Sequence, residues 1–118
     1  MARQHGDNEP LAVPILIADI GGTNARFALI SDAYGDLKHF PTVTTSDYPT
    51  PVAAIEQAVL AHTSLLPKSI VMAIAGPVDL PPIKLTNAEW TIEPDALIDT
   101  FGFRDVVVIN DFEALALA

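Results

Sequence analysis

The sequence predicts an α/β domain on a mixed sheet, with its elements in the order βββαβαβα. Three observations lead there. Apolar, β-branched runs of strand length fall at residues 15–18, 25–30, 69–75 and 106–109. The early runs are separated only by turn residues, so they form an antiparallel meander. The later runs are separated by two segments of helical spacing, each opening on a proline.

The first strand, 15–18, ends in Asp19 and meets the small set Gly21, Gly22, Thr23 and Asn24 before the second strand at 25–30. Asp32, Gly35 and Asp36 mark the next turn, and a third extended segment covers 37–43, where Pro41 marks an edge position or a bulge. Thr50 followed by Pro51 starts a helix, because Thr caps free amides and Pro at the first helical position loses no hydrogen bond. Val52, Ile55, Ala58 and Val59 give it one apolar face, and it runs to about His62. Residues 69–75 suit a central strand closed by Gly76 and Pro77, and a loop or short ribbon follows through Trp90, a core anchor. Pro94 opens the second helix, with Leu97, Ile98 and Phe101 on its apolar face and Gly102 placed to end it. A buried strand at 106–109 leads into 112–118, which has helical composition but ends within two turns. That ending is expected to mark a truncation.

The chain has 118 residues, 50% hydrophobic and 18% charged, the profile of one soluble globular domain. A chain of this length buries about two-thirds of its unfolded surface, so a core is feasible without staples. There is no cysteine, which excludes disulfides and thiolate metal sites and fits a cytoplasmic location. The polar start, with Asp7 and Glu9, reads as a disordered tail over residues 1–12 rather than a secretory leader, leaving a domain over 13–118. No apolar run approaches the roughly 20 residues that span a bilayer. A net charge of −9 with six Lys and Arg excludes a nucleic-acid surface. An anion would have to bind locally, through backbone amides.

Two places carry chemistry. In the turn Asp19-Ile20-Gly21-Gly22-Thr23-Asn24, glycine admits a ligand close to the backbone, successive amides can form an anion nest, and an acid beside it can hold magnesium through water. An ordinary hairpin turn is an equal reading. It is not a Walker loop, which needs a Lys after its second glycine and a helix next. Asn110 and Asp111 end the last strand, where open α/β sheets place ligand contacts. A carboxylate there can accept the proton of an attacking hydroxyl, although alone Asp111 reads more simply as a helix cap. His5, His39 and His62 lack metal-site spacing.

Four motifs in order join these sites: ADIGGTNAR at 18–26, AIAGPV at 73–78, LTNAEW at 85–90 and VINDFEA at 108–114. On these the chain resembles the bacterial glucokinases, within the larger group that holds hexokinases, actin and the heat-shock chaperone ATPases. The resemblance implies a ribonuclease H-like domain, the small N-terminal lobe of a two-lobed sugar kinase that phosphorylates glucose to glucose 6-phosphate with ATP. It makes Ala18, Asp19, Ile20, Gly21, Gly22 and Thr23 the first phosphate loop, with Asp19 on the side of a Mg2+ ion. Asp111 resembles the catalytic base, Asn110 a ligand of a neighbouring sugar hydroxyl, and Thr86 and Asn87 part of the sugar-side loop, the last two being equally a plain surface turn. Arg26 braces the phosphate loop or pairs with an acid. Glucose and ATP are the implied partners, and an unpartnered apolar surface leaves room for self-association as a homodimer. The second lobe is missing here, so the chain alone is expected to be inactive. Two alternatives stand beside this reading: a kinase of the repressor/kinase group acting on another hexose, and a non-catalytic actin-like nucleotide-binding module. Asn24-Ala25-Arg26 and Phe112 after Asp111 favour the glucokinases, and no segment ahead of the first strand has room for a helix-turn-helix.

Overall fold

A computed structural model describes residues 2–4, 10–31, 35, 37–75, 83–85 and 90–110, the first three by their backbone. Within them the chain forms β1 (Ala2–Gln4), β2 (Ile15–Ile20), β3 (Asn24–Ile30), β4 (Leu37–His39), β5 (Val43–Thr44), α1 (Pro51–Ala58), β6 (Ser69–Ile74), β7 (Ile83–Lys84), β8 (Thr91–Ile92), α2 (Pro94–Phe101) and β9 (Asp105–Asn110). The expected alternation of meander, helix, strand, helix and strand is present. The expected last helix, and Gly76 with Pro77, lie outside the described residues.

The main sheet has the order β1-β9-β6-β2-β3-β4, with β5 also on β3. β2 is the hinge of its mixed character: it pairs antiparallel with β3 and parallel with β6, which in turn pairs parallel with β9. The tight turn after β2 permits only an antiparallel neighbour, whereas α1 and α2 supply the crossovers that parallel neighbours require. β7 and β8 form a separate antiparallel ribbon.

Pro41 has the consequence expected of it. Ala28 faces His39, but Ala25 faces Val43, so the third segment carries one more residue than β3 between the two ladders. That extra residue is a bulge around Pro41, which has no N–H to give to a ladder. Phe40 on its near side still donates to the Phe27 carbonyl at 3.0 Å.

Strand periodicity puts Leu16, Ala18 and Ile20 at 0% exposure on one face of β2, with Ile15, Ile17 and Asp19 on the other. The first face joins Phe27 and Leu29 of β3, Ile70, Met72 and Ile74 of β6, and Val106 and Val108 of β9. Ala54, Ile55 and Val59 from the α1 region and Leu97 from α2 cover it. Each fully buried Leu, Ile or Phe there contributes about 1.5–3 kcal/mol relative to exposure. The second face is less covered, with Ile15, Ile17, Val71 and Ala73 only half-buried among the described residues.

Local signals set the helix ends. The Thr50 hydroxyl accepts from the Ala53 N–H at 3.1 Å, with Pro51 in the first turn. α1 stops at Ala58, earlier than expected: the fully buried Val59 caps it, its N–H on the Ile55 carbonyl, and residues Leu60–His62 continue as a 3-10 turn. α2 ends at Gly102, whose φ of 71° is left-handed and whose N–H reaches the Ile98 carbonyl at 2.8 Å. Trp90 is the expected core anchor, 3% exposed, with its indole N–H donating to the Tyr48 carbonyl at 2.9 Å.

One expectation is not met. Residues 1–12 read as a disordered tail, yet Ala2–Gln4 pairs antiparallel with β9, Ala2 opposite Val108. β9 would otherwise expose a row of unpaired backbone groups, and any short extended segment can satisfy them whatever its side chains. Hydrophobic periodicity carries no sign of such a strand.

Candidate functional site

Because β2, β6 and β9 are parallel and in register, they end together. Ile20 faces Ile74, and Ile74 faces Asn110. Neighbouring strands lie 4.7–4.9 Å apart, so the turn after β2 and the end of β9 are separated by about 10 Å across one edge of the sheet. The two places singled out in the sequence therefore lie at the same end of the sheet, with the Asn110 side chain on the face of Ile20 and Asp19 on the other. Asn110 is half-buried at that edge, while Asp111, Thr86 and Asn87 lie outside the described residues.

The turn lines a polar depression of about 250 Å³ formed by Asp19, Gly21, Gly22, Thr23, Asn24 and Arg26. Asp19 gets there because it is the outward residue before the last one of β2, and its side chain is exposed. Arg26 faces Asp19 across the β2–β3 ladder, which puts one cation and one anion on the same wall. Four of the six expected phosphate-loop residues line the depression. The other two, Ala18 and Ile20, are fully buried in the core, and the Ile20 carbonyl accepts from the Ala75 N–H at 3.2 Å.

The turn closes with the Gly21 N–H donating to the Asn24 carbonyl at 2.9 Å. Gly21 is not at a positive φ, and a Cβ built on it would find only the Asn24 carbonyl oxygen, at an ordinary 3.5 Å. The fold therefore has no need of glycine at 21. What the missing side chain leaves is bare backbone at the floor of a polar hollow, the form of surface that a phosphate can approach closely.

Behind the turn stands a residue that the sequence did not single out. Thr45, 6% exposed, places its hydroxyl 3.2 Å from the carbonyls of both Gly22 and Thr23, and its own N–H donates to the Thr23 carbonyl at 2.8 Å. A Thr after a strand is an ordinary residue, and only the β3–β5 pairing brings this one under the turn.

Among the described residues no three His, Cys, Asp or Glu side chains gather as a metal site. His39 and His62 are exposed. An exposed carboxylate, Asp19, beside the backbone of a glycine turn is a donor set that would fit Mg2+ held mainly by phosphates and water, since that ion keeps much of its hydration and takes few protein carboxylates.

Comparisons with known proteins agree on one family. The family model described as glucokinase matches residues 16–118. A glucokinase of Rhizobium johnstonii is 48% identical over 118 residues, all of this chain and 35% of its own length. One from a Chelativorans species is 52% identical over 108 residues, 92% of this chain and 32% of its own. The solved structure of a glucokinase from an Antarctic psychrotroph superposes with a TM-score of 0.76 at 36% identity, covering 86% of this chain and 33% of that one. The chain thus spans about a third of the length of the relatives it matches. With the family model running from residue 16 of β2 through β9, this chain belongs to the glucokinase family.

Proposed function

We propose that residues 13–118 form the N-terminal lobe of a longer enzyme that transfers the terminal phosphoryl group of ATP to the 6-hydroxyl of glucose. The observation that carries this reading is the shared register of β2, β6 and β9, which sets a polar, glycine-floored turn and Asn110 about 10 Å apart on one sheet edge. The half-buried second face of the sheet also fits a lobe meant to be covered by further chain.

In this reading the amides of the turn bind the nucleotide's phosphate oxygens, and Asp19 would hold a Mg2+ ion through water. The metal, when bound, offsets phosphate charge. Asn110 orients the sugar through a neighbouring hydroxyl. Asp111 accepts the proton of the 6-hydroxyl as its oxygen attacks the γ-phosphorus, while the bond from that phosphorus to the ADP oxygen breaks. Phosphoryl transfer asks the protein mainly for position and charge stabilisation, so an ionised, aligned carboxylate suffices. Thr86 and Asn87 belong to the sugar-side loop.

The relatives at 48–52% identity are glucokinases, which favours this reading over a kinase of the repressor/kinase group or a non-catalytic actin-like module. No helix among the described residues is long and apolar enough to cross a membrane, and we place the enzyme in the cytoplasm. A homodimer belongs to the same proposal: Leu65 and Leu66, 47% and 68% exposed, are apolar surface that a partner would cover.

The test is Asp111→Asn in the full-length protein, assayed for glucose phosphorylation by a coupled reaction. The expected loss in kcat is about 10² to 10⁴. Near wild-type turnover would remove Asp111 from the mechanism, and a hexose panel in the same assay reads the substrate class.

A further inference from the structure

The turn's amides can serve a phosphate only if its carbonyls point elsewhere, and Thr45 is built to arrange that. Gly22 and Thr23 form the tip of the turn and line the depression, whereas Thr45 does not line it and lies beneath. Both tip carbonyls are bound from that side: each is 3.2 Å from the Thr45 hydroxyl, and the Thr23 carbonyl also receives the Thr45 N–H at 2.8 Å. In a trans peptide the C=O and the following N–H point in opposite directions. Holding the carbonyls of Gly22 and Thr23 toward Thr45 therefore directs the N–H groups of Thr23 and Asn24 away from it.

The tip would otherwise be free to choose. Glycine at 22 places little restraint on rotation of its peptide plane, and a flipped plane would present a carbonyl oxygen where a phosphate oxygen must sit. The anchor itself is firm. Thr45 is 94% buried by its 6% exposure, follows directly on β5, and begins a 3-10 turn closed by the Tyr48 N–H on the Thr45 carbonyl at 3.2 Å. The Tyr48 carbonyl is held in turn by the Trp90 indole at 2.9 Å. The brace thus runs from the turn's tip to the core.

We propose that Thr45 is a positioning residue for the nucleotide's phosphates, acting through its hydroxyl and amide on the carbonyls of Gly22 and Thr23. This rests on the reading of the turn as a phosphate loop. It adds a residue that touches no substrate but sets the direction of the groups that do.

The experiment uses the full-length protein with ATP and glucose. Thr45→Val keeps the shape and removes the hydroxyl, and Thr45→Ser restores the hydroxyl. The expected result for Thr45→Val is a KM for ATP raised about tenfold, the scale of one lost hydrogen bond plus a misdirected peptide, with the KM for glucose unchanged within about twofold. Thr45→Ser should return the KM for ATP to within about twofold of wild type. Should Thr45→Val not fold, Thr45→Ala carries the same expectation. An unchanged KM for ATP in the folded variant overturns the proposal, as does a parallel rise in the KM for glucose, which would mark a merely structural role. Failure of Thr45→Ser to rescue overturns it too. Asp19→Ala measured alongside separates the two levels. If Asp19→Ala leaves nucleotide affinity untouched, the phosphate-loop reading itself falls; if it weakens nucleotide binding while Thr45→Val does not, only the role of Thr45 falls.

Discussion

Gly21→Ala should separate the fold of this protein from its function. The added Cβ meets only the Asn24 carbonyl oxygen at 3.5 Å, and the backbone is outside the left-handed region, so the native state bears no strain. Alanine also narrows the unfolded ensemble, which at a compatible site stabilises a protein by about 0.4–1 kcal/mol. Stability should therefore hold or rise slightly. Binding should not hold. The Gly21 N–H is already given to the Asn24 carbonyl, so a phosphate would take the amides at the turn's tip, and a methyl group on the floor beside them needs about 3.3–3.6 Å from carbon to a phosphate oxygen, which pushes the anion out of line. Losing one charge-assisted hydrogen bond costs about 1.5–3 kcal/mol, which is about 10- to 150-fold in nucleotide affinity. Urea unfolding reads the first half, and the KM for ATP at saturating glucose reads the second. A folded variant with a KM for ATP within about twofold of wild type would refute the phosphate-loop argument. A stability loss above about 2 kcal/mol would refute the claim that the fold does not need this glycine.

Two further substitutions test the elements that hold the site's scaffold. Gly102→Ala forces a side chain into φ 71° with no atom within 4 Å of the new Cβ, so the cost is backbone strain alone, about 1–2 kcal/mol less the unfolded-state gain of about 0.4–1; Gly102→Asn should cost less in the same urea titration. Thr50→Ala removes the 3.1 Å cap on the Ala53 N–H and should lower unfolding free energy by about 1 kcal/mol, while Thr50→Ser should restore most of it.

What could be read from the sequence was what local chemistry decides. Pro41 announces an edge position or a bulge because proline has no donor for a ladder, Thr50 and Pro51 announce a helix start, and Gly102 announces a helix stop. The turn of Gly21 and Gly22 was legible for the same reason, and so was Trp90 as a core residue. Illegible were the features made by pairing at a distance in sequence. Nothing in Ala2–Gln4 says that its backbone lies on β9, and nothing in Thr45 says that its hydroxyl lies under residues more than 20 positions earlier. Ala18 and Ile20 show the converse. Motif matching places them in the loop, but strand alternation turns their side chains into the core.

The charge of the chain explains why such a brace would matter. With a net charge of −9 its long-range field opposes a nucleotide, and the depression has a single cation, Arg26, among its six lining residues. Beside Arg26 and a metal ion, what this chain offers is fixed dipoles at contact distance, which fall off steeply and depend on direction. A Lys or Arg site tolerates some misalignment, because a charge attracts from any angle and a long side chain can follow its ligand. A peptide dipole does neither: turned through half a circle it repels. The price of building an anion site from amides is thus a demand for rigidity behind them, and Thr45, buried on a bulged and paired segment, stands where that rigidity is needed.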